Sequence, residues 1–495
     1  MNRPPTAAPV SLMWFRDDLR LQDNAALAYA AARGPVVCLF VEEENTSIRP
    51  LGAAAKWWRN RSLIALRKEL RVHGVDLLIA TGDPRDIVPD IASQLHSRHE
   101  NVQVAWNRRY HEPMREVDAS VKAQLRERAI EAHSFEGFLL TEPWLVRTGN
   151  GSPYKVFTPF ATTAQRMLLD NPPVGSGRPE ITGADASEIK SHPSIRNAPD
   201  VTGEPGWSSS LAEKNRPGEV AALHRFHSFL DGLADGKGYK DVNDIPSAEA
   251  TSGLSPHLRF GEISPAYVWS ETVRFQDAHP RAAQDAWAFL RQLLWRDFAW
   301  HRLYHFPHLS TENVRRHFDA FPWAWSGNAV PGASSSAFAH PEMEPDDDAR
   351  QHLAELSAWQ QGQTGIPLVD AGMRQLWARG TMHNRVRMVV GSWLTKNLGI
   401  HWRHGEEWFW DTLVDADYAS NPFNWQWVAG CGDDAAPYFR IFNPLTQEKK
   451  FDPHGLYVRE WVPELHTPLY PEPMVDVKES RKTALAAYGD IRKRG

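Results

Sequence analysis

Four short stretches of the 495-residue chain carry side chains able to do chemistry. Residues 251–255 (TSGLS) set three hydroxyls around a glycine, just ahead of Pro256. Such a group can offer hydroxyl and backbone donors to a phosphate at a helix start; an ordinary Ser/Thr cap is the plainer alternative. In residues 381–388 (TMHNRVRM), Asn384 precedes Arg387 by three positions and Met388 by four, so on a helix the three share a face. A flexible apolar Met beside an amide and a guanidinium suits a ligand of mixed polarity; a solvated basic helix edge is the equal alternative. Asp415 and Asp417 sit close to Tyr418, Phe423, Trp425 and Trp427. Carboxylates in such surroundings need partners, and Arg387 is a candidate; a plain acidic loop is disfavoured by so much adjacent aromatic surface. Over residues 286–303, Gln292, Trp295, Arg296 and Ala299 are spaced to share one helical face. An aromatic, an amide and a cation together can stack on and hydrogen-bond an extruded base, whereas Trp287, Leu290, Leu294 and Phe298 read as a core stripe.

Two kinds of element must position these residues. Residues 10–15, 35–41, 76–80 and 102–106 are short apolar runs of strand length, with helical pattern between them, as over residues 53–72. Strand, helix, strand in succession predicts a parallel sheet with right-handed crossovers, and ligands in such sheets sit beyond the carboxyl ends of the strands. Those ends lead into RDDLR, EEENT, GDP and NRRY. No GxGxxG follows the first strand, and the glycine spacing of residues 232–238 (GLADGKG) is one short of a phosphate loop. Residues 140–215 are broken by proline, glycine and serine and read as a long interdomain connection. From Glu219 onward amphipathic helical pattern dominates, as over residues 282–304 and 367–396, and residues 326–349 read as a surface loop inserted between helices.

The length predicts two or three domains. Lys and Arg number 55 against 61 Asp and Glu, a formal charge of −6, which excludes coating of nucleic acid by bulk charge but not a local basic groove. No apolar run is long enough for a membrane span, and the start lacks a signal-peptide core. The two cysteines, Cys38 and Cys431, cannot build a disulfide framework and suit a reducing cytoplasm. Tryptophan stands out, with 21 in the chain.

WFRDDLRLQDNAAL (residues 14–27), TSGLS, LLWRDF, GMRQLW with GTMHNRVRM, DADYASNPFNWQW and DAAPYFRIFNP together resemble the photolyase and cryptochrome flavoproteins. The match keeps its order over nearly the whole chain, residues 326–349 excepted, and is most like a class I-type cyclobutane pyrimidine dimer photolyase. The resemblance implies a Rossmann-like α/β antenna domain over residues 1–139, a linker over 140–215 and an all-α FAD-binding domain over 216–495. It implies that Tyr239, Thr251, Ser252, Gly253, Leu254 and Ser255 hold the diphosphate and neighbouring parts of FAD. Arg296, Asn384, Arg387, Asp415, Ala416 and Asp417 would complete the cofactor site, with Arg387 and Asp415 paired over the flavin. Asn421 would face the flavin N5, where asparagine is typical of repair enzymes and aspartate or cysteine of plant and animal cryptochromes.

The implied activity is light-dependent splitting of cyclobutane pyrimidine dimers in UV-damaged DNA, by electron transfer from excited reduced FAD to a flipped-out lesion: a deoxyribodipyrimidine photolyase, a carbon–carbon lyase. Gln292, Trp295, Asn384, Arg385, Met388 and Trp427 map to the lesion pocket. Gln292 stands where repair enzymes commonly have glutamate, which implies slower repair, and Thr381 replaces a tryptophan. A (6-4) enzyme is not expected, because TMHNRVRM lacks that group's His-His arrangement. Trp425, Trp402 and Trp323 match the proximal, middle and distal members of a photoreduction chain, with Trp325 as the alternative distal member. Glu112 resembles a pterin-contacting carboxylate, but Thr311 stands in place of a lysine used by folate-binding members. A second antenna chromophore is therefore open between 5,10-methenyltetrahydrofolate and 8-hydroxy-5-deazaflavin. No metal site is expected. The alternative function is a cryptochrome-type blue-light photoreceptor with little or no repair activity, against which the short basic C-terminal close weighs. An ordinary flavin oxidoreductase is disfavoured, because nothing resembles a nicotinamide site. A monomer in the cytoplasm of a bacterium, nucleoid-associated on damaged DNA and without membrane contact, completes the expectation.

Overall fold

Short runs of apolar residues, several of them β-branched, form the four central strands: Val10–Phe15 (β1), Val36–Glu43 (β2), Leu77–Gly82 (β3) and Val102–Asn107 (β4). These agree closely with the apolar runs of the sequence, because the strands are buried on both faces and cannot alternate. Two more strands escape that pattern. Glu131–Phe135 (β5) lies at one sheet edge with every residue at least partly exposed, and Ile195–Arg196 (β6) is a two-residue edge strand antiparallel to β3. The computed structural model describes residues 8–202, 204–324, 347–435 and 439–494; most of the 326–349 insertion, with Trp325, lies outside them.

The sheet order is β5-β4-β1-β2-β3-β6, parallel throughout except for β6. Strand order reverses at β1, so the crevice at the carboxyl ends of β1 and β4 is where a ligand is expected. The charged residues that meet there bind one another: Arg16 pairs with Asp118 and Arg109 with Glu43, each at 2.5 Å, and Asn107 donates to Asp18 at 2.6 Å.

The interval 140–215 is more than a tether. It contributes β6 and the helices Phe157–Asp170 and Ser208–Lys214, and Phe157 and Phe160 are buried against Phe298 of the helix Ala283–His305. Beyond it, among the described residues, the regular elements are helices, with one isolated bridge between Ala324 and Ile400. Leu290, Leu294 and Phe298 are fully buried, as the stripe predicted; Trp287 is only partly buried and packs edge-on against Trp269. The long helical pattern of residues 367–396 is broken. Left-handed Gly380 ends the helix Pro367–Arg379, the His383 side chain caps Asn384–Ser392, and a π-helical turn follows at Trp393–Asn397.

Buried polar contacts join the two halves. Arg20 donates to the carbonyl of Gly261 at 3.0 Å, and Arg259 pairs with Asp17 at 2.8 Å. The Glu219 carboxylate accepts the backbone N–H groups of Leu21 at 3.1 Å and Gln22 at 2.6 Å.

Candidate functional site

A cavity of about 1940 Å³ opens among the helices of residues 216–428 and extends to the helix Ala53–Val72. That is roughly twice the upper end of a usual single-ligand cleft, ~1,000 Å³, so it has room for two occupants. Thr251, Ser252, Gly253, Leu254 and Ser255 line it, as do Gln292, Trp295 and Arg296 from one helix. Asn384, Arg385, Arg387 and Met388 line it from the helix Asn384–Ser392, and Asp415, Ala416, Asp417, Asn421, Trp425 and Trp427 are also on the lining. Tyr239 stands behind this lining, edge-on to the lining residue Phe229 and near-perpendicular to Phe289, with its backbone N–H donating to Asp285 at 2.6 Å.

Arg387 pairs with Asp415 at 3.1 Å, and Ser255 donates its hydroxyl to the same carboxylate at 2.7 Å. Asp417 accepts the backbone N–H groups of Ala419 at 2.8 Å and of Ser420, the first residue of the helix Ser420–Ala429, whose N-cap Ala419 offers no side-chain acceptor. Arg296 is engaged with the carbonyls of Phe138 at 2.7 Å and Leu258 at 3.3 Å, and burial pulls its guanidinium pKa down. TSGLS does not cap its helix: the N-cap residue is Leu254, without a side-chain bond, and Ser255–Arg259 is only five residues long. The loop is shaped for another reason. Gly253 holds φ at +61°, and a β-carbon there would fall 2.6 Å from Arg225 Nη1. The exposed Arg225 thus lays its guanidinium over the loop backbone, at a point suited to an anion.

Asn421 is held by Glu406, whose carboxylate and main-chain carbonyl accept the amide nitrogen at 2.7 and 3.0 Å, and Arg49 pairs with Glu406 at 2.9 Å. The amide oxygen is left for a ligand. Trp425 packs edge-on to Phe409 at 4.9 Å and Trp359 at 6.1 Å. Trp402 and Trp323 do not line the cavity. Trp402 is fully buried and donates to Asn313 at 2.8 Å; Trp323 is partly buried and donates to the Thr395 carbonyl at 3.1 Å. The His401 ring touches both, 4.7 Å from Trp323 and 5.5 Å from Trp402.

At the aromatic end, Trp295 stacks on Phe157 with centroids 3.5 Å apart, and Trp427 donates its indole N–H to the Asp434 carbonyl at 3.1 Å. Gln292 and Asn384 are exposed to the cavity, while Arg385 pairs with Asp244 at 2.5 Å and lies over the Phe451 ring. Glu112 stands apart, in the first turn of the helix Glu112–Glu127, with Arg115 at 3.8 Å.

Two family models match the chain: DNA photolyase over residues 11–178, and the FAD binding domain of DNA photolyase over residues 289–468. A deoxyribodipyrimidine photo-lyase of Agrobacterium fabrum is 41% identical over 512 aligned positions, covering 98% of each chain. The chain belongs to the photolyase/cryptochrome family. Among solved members, a bacterial class III photolyase from Agrobacterium tumefaciens is 40% identical, covers 99% of both chains and superposes with a TM-score of 0.84. A Synechocystis cryptochrome is 27% identical over 98% of this chain and all of its own, with a TM-score of 0.77. In this photolyase/cryptochrome family member the residues fit FAD. The guanidinium of Arg225 over the TSGLS loop suits a diphosphate, and the Arg387–Asp415 pair with the Asn421 oxygen suits a polar ring edge. Sequence reasoning missed Arg225 and Glu406, neither of which stands in a quoted motif, and it assigned no role to Asp434, which opens DAAPYFRIFNP; only the glycine at 253 hints at a backbone that must lie close under a neighbour.

Proposed function

We propose that the protein is a light-dependent DNA repair enzyme that splits cyclobutane pyrimidine dimers, with FAD and lesion sharing one chamber. The observation that carries this reading is the size of the cavity, about 1940 Å³, with both residue sets on its lining. Thr251 to Ser255, Arg225, Arg387, Asp415 and Asn421 would hold the cofactor; Gln292, Trp295, Asn384, Met388 and Trp427 would receive the damaged bases. When bound, reduced FAD would supply the light-driven one-electron chemistry that opening of the dimer needs. No acid or nucleophile is required of the chain. Its residues stack on the extruded bases, exclude water and offer the Gln292 and Asn384 amides to a ring that carries transient negative charge. Gln292 does this without the charge a glutamate would bring.

The 40% identity to a class III photolyase supports a class III-like assignment in place of a class I-type one. The division at residues 139 and 215, the roles of Trp425, Trp402 and Trp323 as a relay, and a second chromophore near Glu112 belong to the same proposal. So do a monomeric state and action on DNA in the bacterial cytoplasm; no helix among the described residues is long and apolar enough to cross a membrane.

The test is illumination with blue light, in the presence of a reductant, of the FAD-loaded protein with an oligonucleotide carrying one thymine dimer. Restoration of intact thymines is expected. Unchanged dimers alongside normal flavin photoreduction would replace this reading with the cryptochrome-type photoreceptor.

A further inference from the structure

Two indoles of the cavity, Trp295 and Trp427, are tied to one residue outside it. Trp295 lies face to face on Phe157, with 7° between the ring planes. Phe157 opens a 14-residue helix whose N-cap, Val156, provides no side-chain acceptor. The backbone N–H of Phe157, which has no intrahelical partner, donates instead to the Asp434 carboxylate at 3.4 Å. From the other side, Trp427 donates its indole N–H to the main-chain carbonyl of the same Asp434.

Asp434 holds φ at +53°, a left-handed conformation that non-glycine residues keep only where the surroundings over-determine it. Here they do. Arg302 pairs with the neighbouring Asp433 at 2.6 Å, both side chains buried. Arg315 donates its backbone N–H to the Cys431 carbonyl at 2.8 Å and its guanidinium to the Ala435 carbonyl at 2.9 Å, and Gly432 N–H donates to Gln426 at 3.0 Å. The turn that follows the helix Ser420–Ala429 is fixed from both sides, and Asp434 projects from it toward Phe157.

We propose that Asp434 is a positioning residue for lesion recognition: its carbonyl orients the Trp427 indole, and its carboxylate, through Phe157, orients the Trp295 indole. This rests on the reading of those two indoles as the surfaces that receive the damaged bases. Stacking surfaces held in place beforehand do not have to be ordered when the bases arrive, so affinity for the flipped-out lesion rises without new contacts.

Three variants of the full-length, FAD-loaded protein test this: Asp434→Gly, Asp434→Asn and Phe157→Leu. Each is assayed for FAD content, thermal midpoint, and Kd for an oligonucleotide with one thymine dimer and for its undamaged counterpart. Asp434→Gly keeps the left-handed backbone and the carbonyl but loses the carboxylate. Its affinity for dimer DNA is expected to fall roughly three- to tenfold, with affinity for undamaged DNA unchanged. Phe157→Leu, which keeps the N–H and loses the stacked ring, is expected to lose the same preference. Asp434→Asn retains an acceptor oxygen and tolerates the backbone, and is expected to bind dimer DNA within about twofold of the unsubstituted protein. Undiminished dimer preference in both Asp434→Gly and Phe157→Leu overturns the proposal, as does equal loss toward both DNAs in all three variants. If the unsubstituted protein shows no dimer preference, the reading of the lesion pocket fails first and this assignment with it.

Discussion

Asn421 gives its amide nitrogen to the Glu406 carboxylate at 2.7 Å, and Glu406 is almost completely buried. The carboxylate therefore fixes which end of the amide faces the cavity, and it makes the position intolerant of a second acid. In Asn421→Asp the two carboxyl groups cannot both ionise so close together, so the new acid's pKa must rise. A raised folded-state pKa makes the penalty appear as pH climbs above the ordinary carboxylate range. Stability is expected to fall by about 2 kcal/mol near neutral pH and to recover on acidification. Urea midpoints across that range check it; a loss independent of pH would mean no charge conflict.

Gly405 lies under Trp425 so closely that a β-carbon would fall 2.1 Å from the indole Cη2. Gly405→Ala must push the ring or the helix Trp402–Thr412 aside, at a cost of about 1–3 kcal/mol. A lowered thermal midpoint and slowed flavin photoreduction at equal FAD content are expected.

Trp425→Phe separates two roles. Photoreduction of oxidised flavin is expected to drop by at least about tenfold, because phenylalanine is much harder to oxidise, while repair by chemically pre-reduced protein persists. Equal loss in both assays would remove Trp425 from the relay.

Arg225 is exposed, so its contribution to holding a diphosphate is modest. Arg225→Ala is expected to weaken FAD binding roughly fivefold, about 1 kcal/mol, and to reduce its salt dependence, as read by quenching of flavin fluorescence. An unchanged affinity would place the diphosphate elsewhere.

His301 and His401 are buried and neutral, each pulled down to a pKa of about 3, chiefly by burial. His301 accepts the Tyr154 backbone N–H at 3.0 Å on one nitrogen and meets the Pro143 carbonyl at 3.1 Å with the other, so the neutral ring is matched on both sides. Below about pH 6.5 the unfolded chain takes up these protons and the folded chain does not. Stability is thus full above about 6.5 and falls as pH drops toward the folded values, by up to about 1.4 kcal/mol per pH unit for each ring. Urea midpoints at successive acid pH values, compared with those of His401→Gln, read the slope.

Much of this was legible because it depends on local spacing. β1 to β4 announce themselves as unbroken apolar runs, whereas β5 has too little burial to leave a pattern and β6 is too short. Gln292, Trp295 and Arg296 share a helical face in the sequence and share the cavity lining in the fold, as do Asn384, Arg387 and Met388. What stayed hidden depends on distance through the fold. Glu406 reaches Asn421 across one helix pair, and Arg49 reaches Glu406 from 357 positions away. Nothing in the local sequence of Asp434 shows that it faces Phe157, and the break at Gly380 is invisible to a periodicity that resumes only a few residues later.

The contacts of Arg20, Glu219 and Arg259 across the two halves bear on how the molecule would come apart. These bonds do not run through the backbone that links the halves, and the stretch at residues 171–180 is largely exposed. A protease nick there would sever the polypeptide yet leave a single particle, its fragments parting only on a denaturing gel.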